Sequence, residues 1–467
     1  MLRREAASAG TPSGEPQGAQ RMAEEVVARR SARGANGEAN KLLPEDRPAH
    51  NWYRFVLSYP PHLVRDDLRR FDIQPGHRVL DPFCGTGTTL VEAKKLGLHS
   101  KGIEANPMAH FASEIKLDWT PDPDGLIPHA TRVANTARSA LDAQGIPYVP
   151  EIRQARLLET PSDTYLGLTS EQNALILTDS ISLLPLHKTL TLLDCLKQHH
   201  DERYHQHELL ALAKALTGPI GNLHFGPEVG VGPAKSDAPV VDAWLDSVLT
   251  MADDLRMLQE LQAVPAVVHH ADARQILQVL EPQSVDAVIT SPPYPNEKDY
   301  TRTTRLESVL LGFIATRAEL RQLKQGLVRS NTRNVYVGDD DDQWVAHFPE
   351  IQRIANDIEA RRIELGKTSG FERLYAKVTR LYFGGMARHL RELQTILRPG
   401  AQLAYVVGDQ ATYLRIMIPT GQLLAAIAQD LGYEVVGIDL FRTRRATATR
   451  MELREEVVVL HWPGEKR

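Results

Sequence analysis

Residues 79–90 read Val-Leu-Asp-Pro-Phe-Cys-Gly-Thr-Gly-Thr-Thr-Leu, and residues 285–294 read Val-Asp-Ala-Val-Ile-Thr-Ser-Pro-Pro-Tyr. The first is an apolar strand running into a turn with Gly85 and Gly87, which opens a helical pattern. The second is an apolar strand ending in Ser291-Pro292-Pro293-Tyr294. In an open parallel sheet, ligands bind past the carboxyl ends of the strands. Both stretches therefore predict loops at one sheet edge.

The surrounding pattern alternates. Strands are expected at 78–81, 100–104, 266–269, 285–290, 403–407, 433–441 and 456–461, and helices at 88–96, 371–397 and 420–431. Gly97 caps the first of these helices, and Arg398-Pro399-Gly400 reads as a turn. Alternation of this kind implies α/β architecture: a Rossmann-like, doubly wound, mostly parallel sheet covered on both faces. The last two strands read as a terminal antiparallel hairpin.

Residues 1–48 are rich in Ala, Gly, Arg, Glu, Ser and Pro and predict a disordered tail, with order beginning near Asn51. The α/β domain takes 49–120, 264–310 and 371–467. Residues 121–263 are Leu-rich and helical in pattern, an insertion. A second, polar and basic insertion spans 311–370. There are no internal repeats.

Composition bounds the rest. The chain has 467 residues, a net charge of −5 and 42% hydrophobic residues, as an ordinary soluble globular protein does. A phosphate-bearing partner would have to meet a local basic face. Two cysteines, Cys84 and Cys195, exclude a disulfide framework and a cysteine-rich zinc module. Neither a membrane-length apolar run nor a secretory signal is read, so the expected location is cytoplasmic, at the nucleoid if the partner is DNA.

Gly85 and Gly87 let the backbone turn tightly and approach a ligand. The helix start beyond them offers free N–H groups and a positive dipole end. No Lys follows, as a Walker loop requires, and the third glycine of the dinucleotide fingerprint is missing. Glu104 lies 17 residues past Gly87, where an acidic residue takes ribose hydroxyls. Asp272 is placed to hydrogen-bond the exocyclic amine of adenine. A nucleoside with a carboxylate-bearing tail describes S-adenosylmethionine. The expected cofactor residues are Asp81, Pro82, Phe83, Cys84, Gly85, Thr86, Gly87, Thr88, Thr89, Glu104 and Asp272. Taken singly, Gly-x-Gly is an ordinary strand–helix turn, and Glu104 or Asp272 a surface carboxylate.

Pro292 and Pro293 fix φ and lack N–H groups, while their carbonyls stay free to accept. Ser291 Oγ and the Pro292 carbonyl can take the two hydrogens of one planar amino group, and Tyr294 can lie against the ring that bears it. The nitrogen lone pair is then turned toward an incoming methyl group. Displacement is direct, and alignment supplies most of the rate. A base in a duplex would have to leave the stack to reach this pocket. Without the strand and the glycine turn, Ser-Pro-Pro-Tyr would read as a rigid loop or polyproline ligand.

These residues resemble the DNA amino-methyltransferases, which methylate the exocyclic N4 of cytosine or N6 of adenine. Residues 81–89 are similar to the family's cofactor motif, Ser291–Tyr294 to its catalytic motif, 102–107 to its second strand, and 59–64 to the motif preceding the cofactor turn. The resemblance implies catalytic Ser291, Pro292, Pro293 and Tyr294, S-adenosylmethionine as cofactor and double-stranded DNA as substrate. Ser at the first catalytic position is common in cytosine enzymes, Asp or Asn in adenine enzymes, so the N4-cytosine type is favoured. Adenine N6, RNA guanine N2, a protein glutamine amide and a binding protein without chemistry are the alternatives. Either insertion could read the DNA; a homodimer and a cognate restriction endonuclease are further expected partners.

Arg302, Arg305, Arg329 and Arg333 follow the catalytic turn, and Arg442, Arg444 and Arg445 lie in the terminal hairpin. Arginine and threonine at this density suit phosphate and guanine contacts, against a solvated charged face. Asp339–Asp342 reads as an exposed loop rather than a metal site. His199, His200, His205 and His207 read as a solvent-exposed helix junction, with zinc ligation the alternative; no metal is expected. Cys84 lacks the Pro-Cys context of a carbon methylase, which excludes cytosine C5.

Overall fold

A computed structural model describes residues 42–54, 58–146, 165–225, 229–296, 298–445 and 451–464. Among the described residues seven strands form the central sheet: β1 (Arg78–Asp81), β2 (His99–Glu104), β3 (Ala266–His270), β4 (Val285–Thr290), β5 (Leu397–Gly408), β6 (Glu434–Arg445) and β7 (Glu452–His461). Their spatial order is β3-β2-β1-β4-β5-β7-β6. The first five run parallel. β7 is antiparallel to both β5 and β6. The chain steps outward from β1 in one direction and returns through β4 in the other, so the topological switch lies between β1 and β4.

Residue alternation divides the core. Val79, Ala287, Ile289, Ala404 and Val406 point to one face, where they meet Leu63, Val64 and Leu68 of α1 (Pro61–Arg70). Leu80, Val288, Leu403 and Tyr405 point to the other, as the two-residue period of a strand requires. β4 is buried along almost its whole length, which suits an inner parallel strand covered on both sides. Helices α2 (Thr88–Lys95) and α3 (Pro107–Leu117) follow β1 and β2.

Between β2 and β3 stand α4 (Pro123–Ala143), α5 (Leu183–Gln198), α6 (His205–Ala215) and α7 (Val240–Leu258). Leu126, Ala130, Val133, Ala137 and Leu141 line one face of α4 and meet Trp244, Val248, Met251 and Leu255 of α7. Two short antiparallel strands, Leu223–Phe225 and Val229–Val231, also lie here, unanticipated from the pattern. After β4 come α8 (Arg317–Gln325), α9 (Pro349–Glu364) and α10 (Tyr375–Ile396); α11 (Thr420–Asp430) links β5 to β6.

Three expectations need correction. Order begins before Asn51: Pro44–Asp46 and Arg47–His50 form short helical turns. Buried Ala49 and Trp52 hold them, donating to Asp254 of α7 from Ala49 N at 3.2 Å and Trp52 Nε1 at 2.7 Å. The rest of the expected tail, residues 1–41, lies outside the described residues. Arg398-Pro399-Gly400 is no inter-element turn but a bulge within β5: the two-residue step of β4 from Val285 to Ala287 is matched by a five-residue step of β5 from Leu397 to Gln402. The terminal hairpin also extends further, pairing as far as Arg445 with Glu452.

Candidate active site

Because β1 and β4 are parallel neighbours, with Val79 opposite Ala287 and Leu80 opposite Val288, the loops that leave them emerge side by side. Asp81 joins them. Its buried carboxylate accepts from Thr290 Oγ1 at 2.6 Å, from Phe83 N at 3.1 Å and from Tyr59 OH at 2.9 Å. Burial pushes its pKa up, while these donors oppose the shift. Thr89 donates to the Ile289 carbonyl at 3.0 Å, a second tie between α2 and β4.

The turn after β1 is held from behind. Gly85 has φ +52° and donates to Glu104 Oε2 at 2.8 Å. Gly87 has φ +81°, and a Cβ there would stand 2.5 Å from Ser113 Oγ. Buried Lys116 donates to the Thr86 carbonyl at 2.5 Å, its amine pushed down to about 7 by burial. Glu104 also accepts from Asn106 N at 2.7 Å, and burial pushes its pKa up to about 7. Each carboxylate oxygen retains a lone pair for another donor.

In the second loop, Ser291 Oγ donates its hydrogen to the Val406 carbonyl at 3.0 Å. The oxygen is left as an acceptor only. Tyr294 N donates to Tyr300 OH at 3.3 Å. The Tyr294 ring lies against Gly408, where a Cβ would stand 3.0 Å from its Cε2. Burial, with Glu455 nearby, raises the Tyr294 hydroxyl pKa well out of the physiological range, so the side chain is a neutral ring.

Both loops open on one cavity of about 890 Å³. Pro82, Phe83, Cys84, Gly85, Thr86, Thr88, Glu104 and Asp272 line it with Ser291, Pro292, Pro293 and Tyr294. Asp81, Gly87 and Thr89 do not face it. They are buried beside it, where Asp81 and Thr89 tie the two loops together. Phe83 packs edge-on against His389, ring centroids 4.8 Å apart. Both Asp272 oxygens are already engaged by Arg274, at 3.0 and 2.7 Å.

The expected DNA-facing arginines separate into groups. Arg305 is 8% exposed and donates to the Thr301 and Leu175 carbonyls. Arg329 is 4% exposed and forks onto Asp339 with two 2.9 Å bonds. Both are internal ties, which corrects their assignment to a nucleic-acid face. Arg302 is half-buried. Arg333 is exposed beside the Phe371 ring, at 5.5 Å. Arg442 and Arg444 face the cavity beside Glu455, with Nε atoms 2.5 and 3.3 Å from its oxygens. The side chain of Arg445 lies outside the described residues.

Asp339–Asp342 is not a free loop either: Asp339 holds Arg329, and buried Asp341 holds Arg274. In the histidine group, His207 is buried and bonds the Asp118 carbonyl at 3.0 Å, which corrects its placement at an exposed junction. Among the described residues no cluster of three His, Cys, Asp or Glu side chains is placed to hold a metal, and no helix is long and apolar enough to cross a membrane.

Sequence reading missed several lining residues. Glu455 was legible as a carboxylate inside an apolar strand pattern. Gly408, which ends β5 beneath Tyr294, was legible as a strand glycine marking close approach. Leu414 and Arg415 also line the cavity, with φ values of +54° and +66°; nothing in the sequence marks them.

The family model described as "DNA methylase" matches residues 40–114. Over 452 residues the chain is 26% identical to the Type II methyltransferase M.BsoBI of Geobacillus stearothermophilus, covering 91% of this chain and 87% of the relative. It is 23% identical to the Type II methyltransferase M.AvaI of a Nostoc species, covering 88% and 84%. A tRNA (guanine(10)-N2)-dimethyltransferase of Methanothermobacter thermautotrophicus is 33% identical over 79 residues, only 17% of this chain and 22% of that one. The glycine turn and Ser-Pro-Pro-Tyr thus stand on neighbouring parallel strands in a chain that is similar to Type II methyltransferases along nearly its full length and carries a DNA methylase match over residues 40–114.

Proposed function

We propose that this chain transfers the methyl group of S-adenosylmethionine to the exocyclic N4 amine of a cytosine within a specific sequence of double-stranded DNA, after the base has rotated out of the helix. One observation carries the reading: the Gly85 turn and Ser291–Tyr294, about 200 residues apart, line one cavity because β1 and β4 are parallel neighbours.

The donor half suits the cofactor. The cofactor supplies an electrophilic methyl group on a sulfonium. Glu104, with unused lone pairs, would accept from the ribose hydroxyls. Thr86 Oγ1 is buried without a protein partner in a residue that lines the cavity, a free group for the amino-acid tail. Phe83 and Val328 supply apolar walls for the purine, and Asp272 can accept from its amine.

The other half orients the nucleophile. Ser291 Oγ, its hydrogen committed to Val406, and the Pro292 carbonyl accept the two amine hydrogens. This fixes the amino plane and directs the nitrogen lone pair at the methyl carbon. The C–N bond would form as the S–C bond breaks with its electron pair left on the thioether sulfur, and the cationic methylated nitrogen would then give one proton to water. Tyr294 stacks on the extruded base, worth about 1–3 kcal/mol toward the lost stacking in DNA. A serine at 291 favours cytosine by the family tendency. The names of the relatives support a restriction–modification setting.

The test is transfer of labelled methyl groups to duplex DNA, followed by digestion to nucleosides. Label in N4-methylcytosine is expected. Label in N6-methyladenine overturns the base assignment, and transfer to RNA alone overturns the substrate.

A further inference from the structure

Arg274 stands two residues past Asp272, is 6% exposed, and touches three parts of the chain at once. Its Nε and Nη2 fork onto Asp272, which lines the donor half of the cavity. Nη2 also donates to the Gln325 carbonyl at 3.3 Å, directly before Gly326-Leu327-Val328, which form a cavity wall. Nη1 donates to Asp341 Oδ2 at 2.5 Å. The planar fork of an arginine can serve three such acceptors; a lysine ammonium cannot do so in the same geometry.

The helix behind is shaped to admit this cluster. α10 carries Gly384 and Gly385 in its interior, each unfavourable there by about 0.5–1 kcal/mol relative to alanine. A Cβ on Gly384 would stand 1.8 Å from the Asp341 carbonyl oxygen. One on Gly385 would meet Asp341 Oδ2 and Val328 Cγ1 at 3.4 Å and Arg274 Cδ at 3.7 Å. Gly384 thus lets the Asp341 backbone close onto the helix, while a Cβ on Gly385 would make only ordinary contacts with Asp341, Val328 and Arg274.

We propose that Arg274 is a positioning residue that joins the donor half of the cavity to residues 325–345 of the second insertion, so that binding in the cavity and ordering of that insertion are one coupled equilibrium. The inference rests on the proposed cofactor site. The Arg274 guanidinium links the wall at 326–328 to Asp272, while Arg329 ties the same stretch to its own insertion by donating to the Lys324 and Gln325 carbonyls at 3.1 and 3.2 Å. A ligand that bears on Asp272 and on that wall therefore reinforces the ties to Gln325 and Asp341, and those ties in turn pre-form the site. Coupling of this kind is reciprocal.

The test uses the full chain and S-adenosylhomocysteine as probe. In the wild-type protein, hydrogen exchange at residues 326–330 and 339–345 is expected to slow on adding the probe. Titration calorimetry should show R274K and D341N binding it about tenfold more weakly, within the about 5–150-fold span of such couplings. With cofactor and DNA both saturating, kcat should stay within about threefold of wild type while KM for the cofactor rises. Combining R274K with D341N should weaken binding by less than the product of the single effects. If the wild-type protein binds no probe, the proposed cofactor site fails. If it binds while exchange in the insertion is unchanged, Arg274 is not the coupler, whatever the variants do. Unchanged affinity in both variants overturns the proposal equally.

Discussion

Replacing Ser291 with alanine tests the orientation of the amine most directly. Ser291 Oγ spends its only hydrogen on the Val406 carbonyl at 3.0 Å, so toward the cavity it is purely an acceptor. In the ground state its bond to an amine N–H is a neutral one, worth about 0.5–1.5 kcal/mol net. As the nitrogen attacks it acquires positive charge, and the same bond becomes charge-assisted, worth about 1.5–3 kcal/mol. Only the difference, about 1–2 kcal/mol, accelerates the methyl transfer. That corresponds to a loss of about 5–30-fold in kcat for S291A. The Pro292 carbonyl keeps the other hydrogen in place, so activity should not vanish. Cofactor affinity should be unchanged, because Ser291 lies in the other half of the cavity. Single-turnover transfer of labelled methyl groups at saturating DNA and cofactor measures the first quantity; S-adenosylhomocysteine titration measures the second. A kcat within twofold of wild type, or a loss confined to cofactor binding, refutes the assignment of Ser291 as an amine acceptor.

Four further outcomes follow from the same geometry. Glu104, raised from 4.5 to about 7 by burial, binds a proton more tightly folded than unfolded; the ligand-free protein therefore loses stability as pH rises from about 4.5 through about 7. Cofactor affinity should rise over that same interval, because only the carboxylate accepts both ribose hydroxyls; E104Q should flatten both profiles, and parallel trends in the two would exclude the ribose role. G87A should lower stability by at least about 1–2 kcal/mol through its left-handed φ alone, with further loss from the 2.5 Å approach to Ser113 Oγ; thermal melts should show partial recovery in G87A/S113A, and none if the clash is immaterial. Y294A should reduce kcat/KM for DNA by about 5–150-fold, the loss of one stacked base, while Y294F, which keeps the ring, should stay near wild type; equal losses in the two would mean that the hydroxyl and not the ring is used. R333Q should reduce the salt dependence of DNA binding by about one unit of slope, whereas R329Q should leave that slope alone and lower the melting temperature, since it removes the arginine fork from Asp339 and leaves that carboxylate, among the described residues, only the Tyr336 N–H.

The contrast between those two arginines shows where sequence stops being informative. Both lie in the same basic stretch, four residues apart, and nothing local separates them. What separates them is whether a carboxylate arrives from elsewhere: Asp339 folds back onto Arg329, whereas Arg333 stays exposed beside Phe371. The acidic run was misread for the same reason, since Asp341 finds Arg274, 67 residues away. The strands and the paired loops were legible because their cause is local and periodic. An apolar run followed by Gly-x-Gly or Ser-Pro-Pro needs no partner to be a strand and a turn, and parallel order then sends both turns to one edge. Asp81, Gly87 and Thr89 fall between these cases. Their motif marked the right place, yet their side chains and φ angles build the loop from behind, because a turn that must hold a ligand first has to be held itself. Gly384-Gly385 makes the converse point. Glycine inside a strong helical pattern is a readable sign that something approaches closely; here it is Gly384 that needs it, and the identity of the neighbour, the Asp341 backbone, is what a sequence cannot supply.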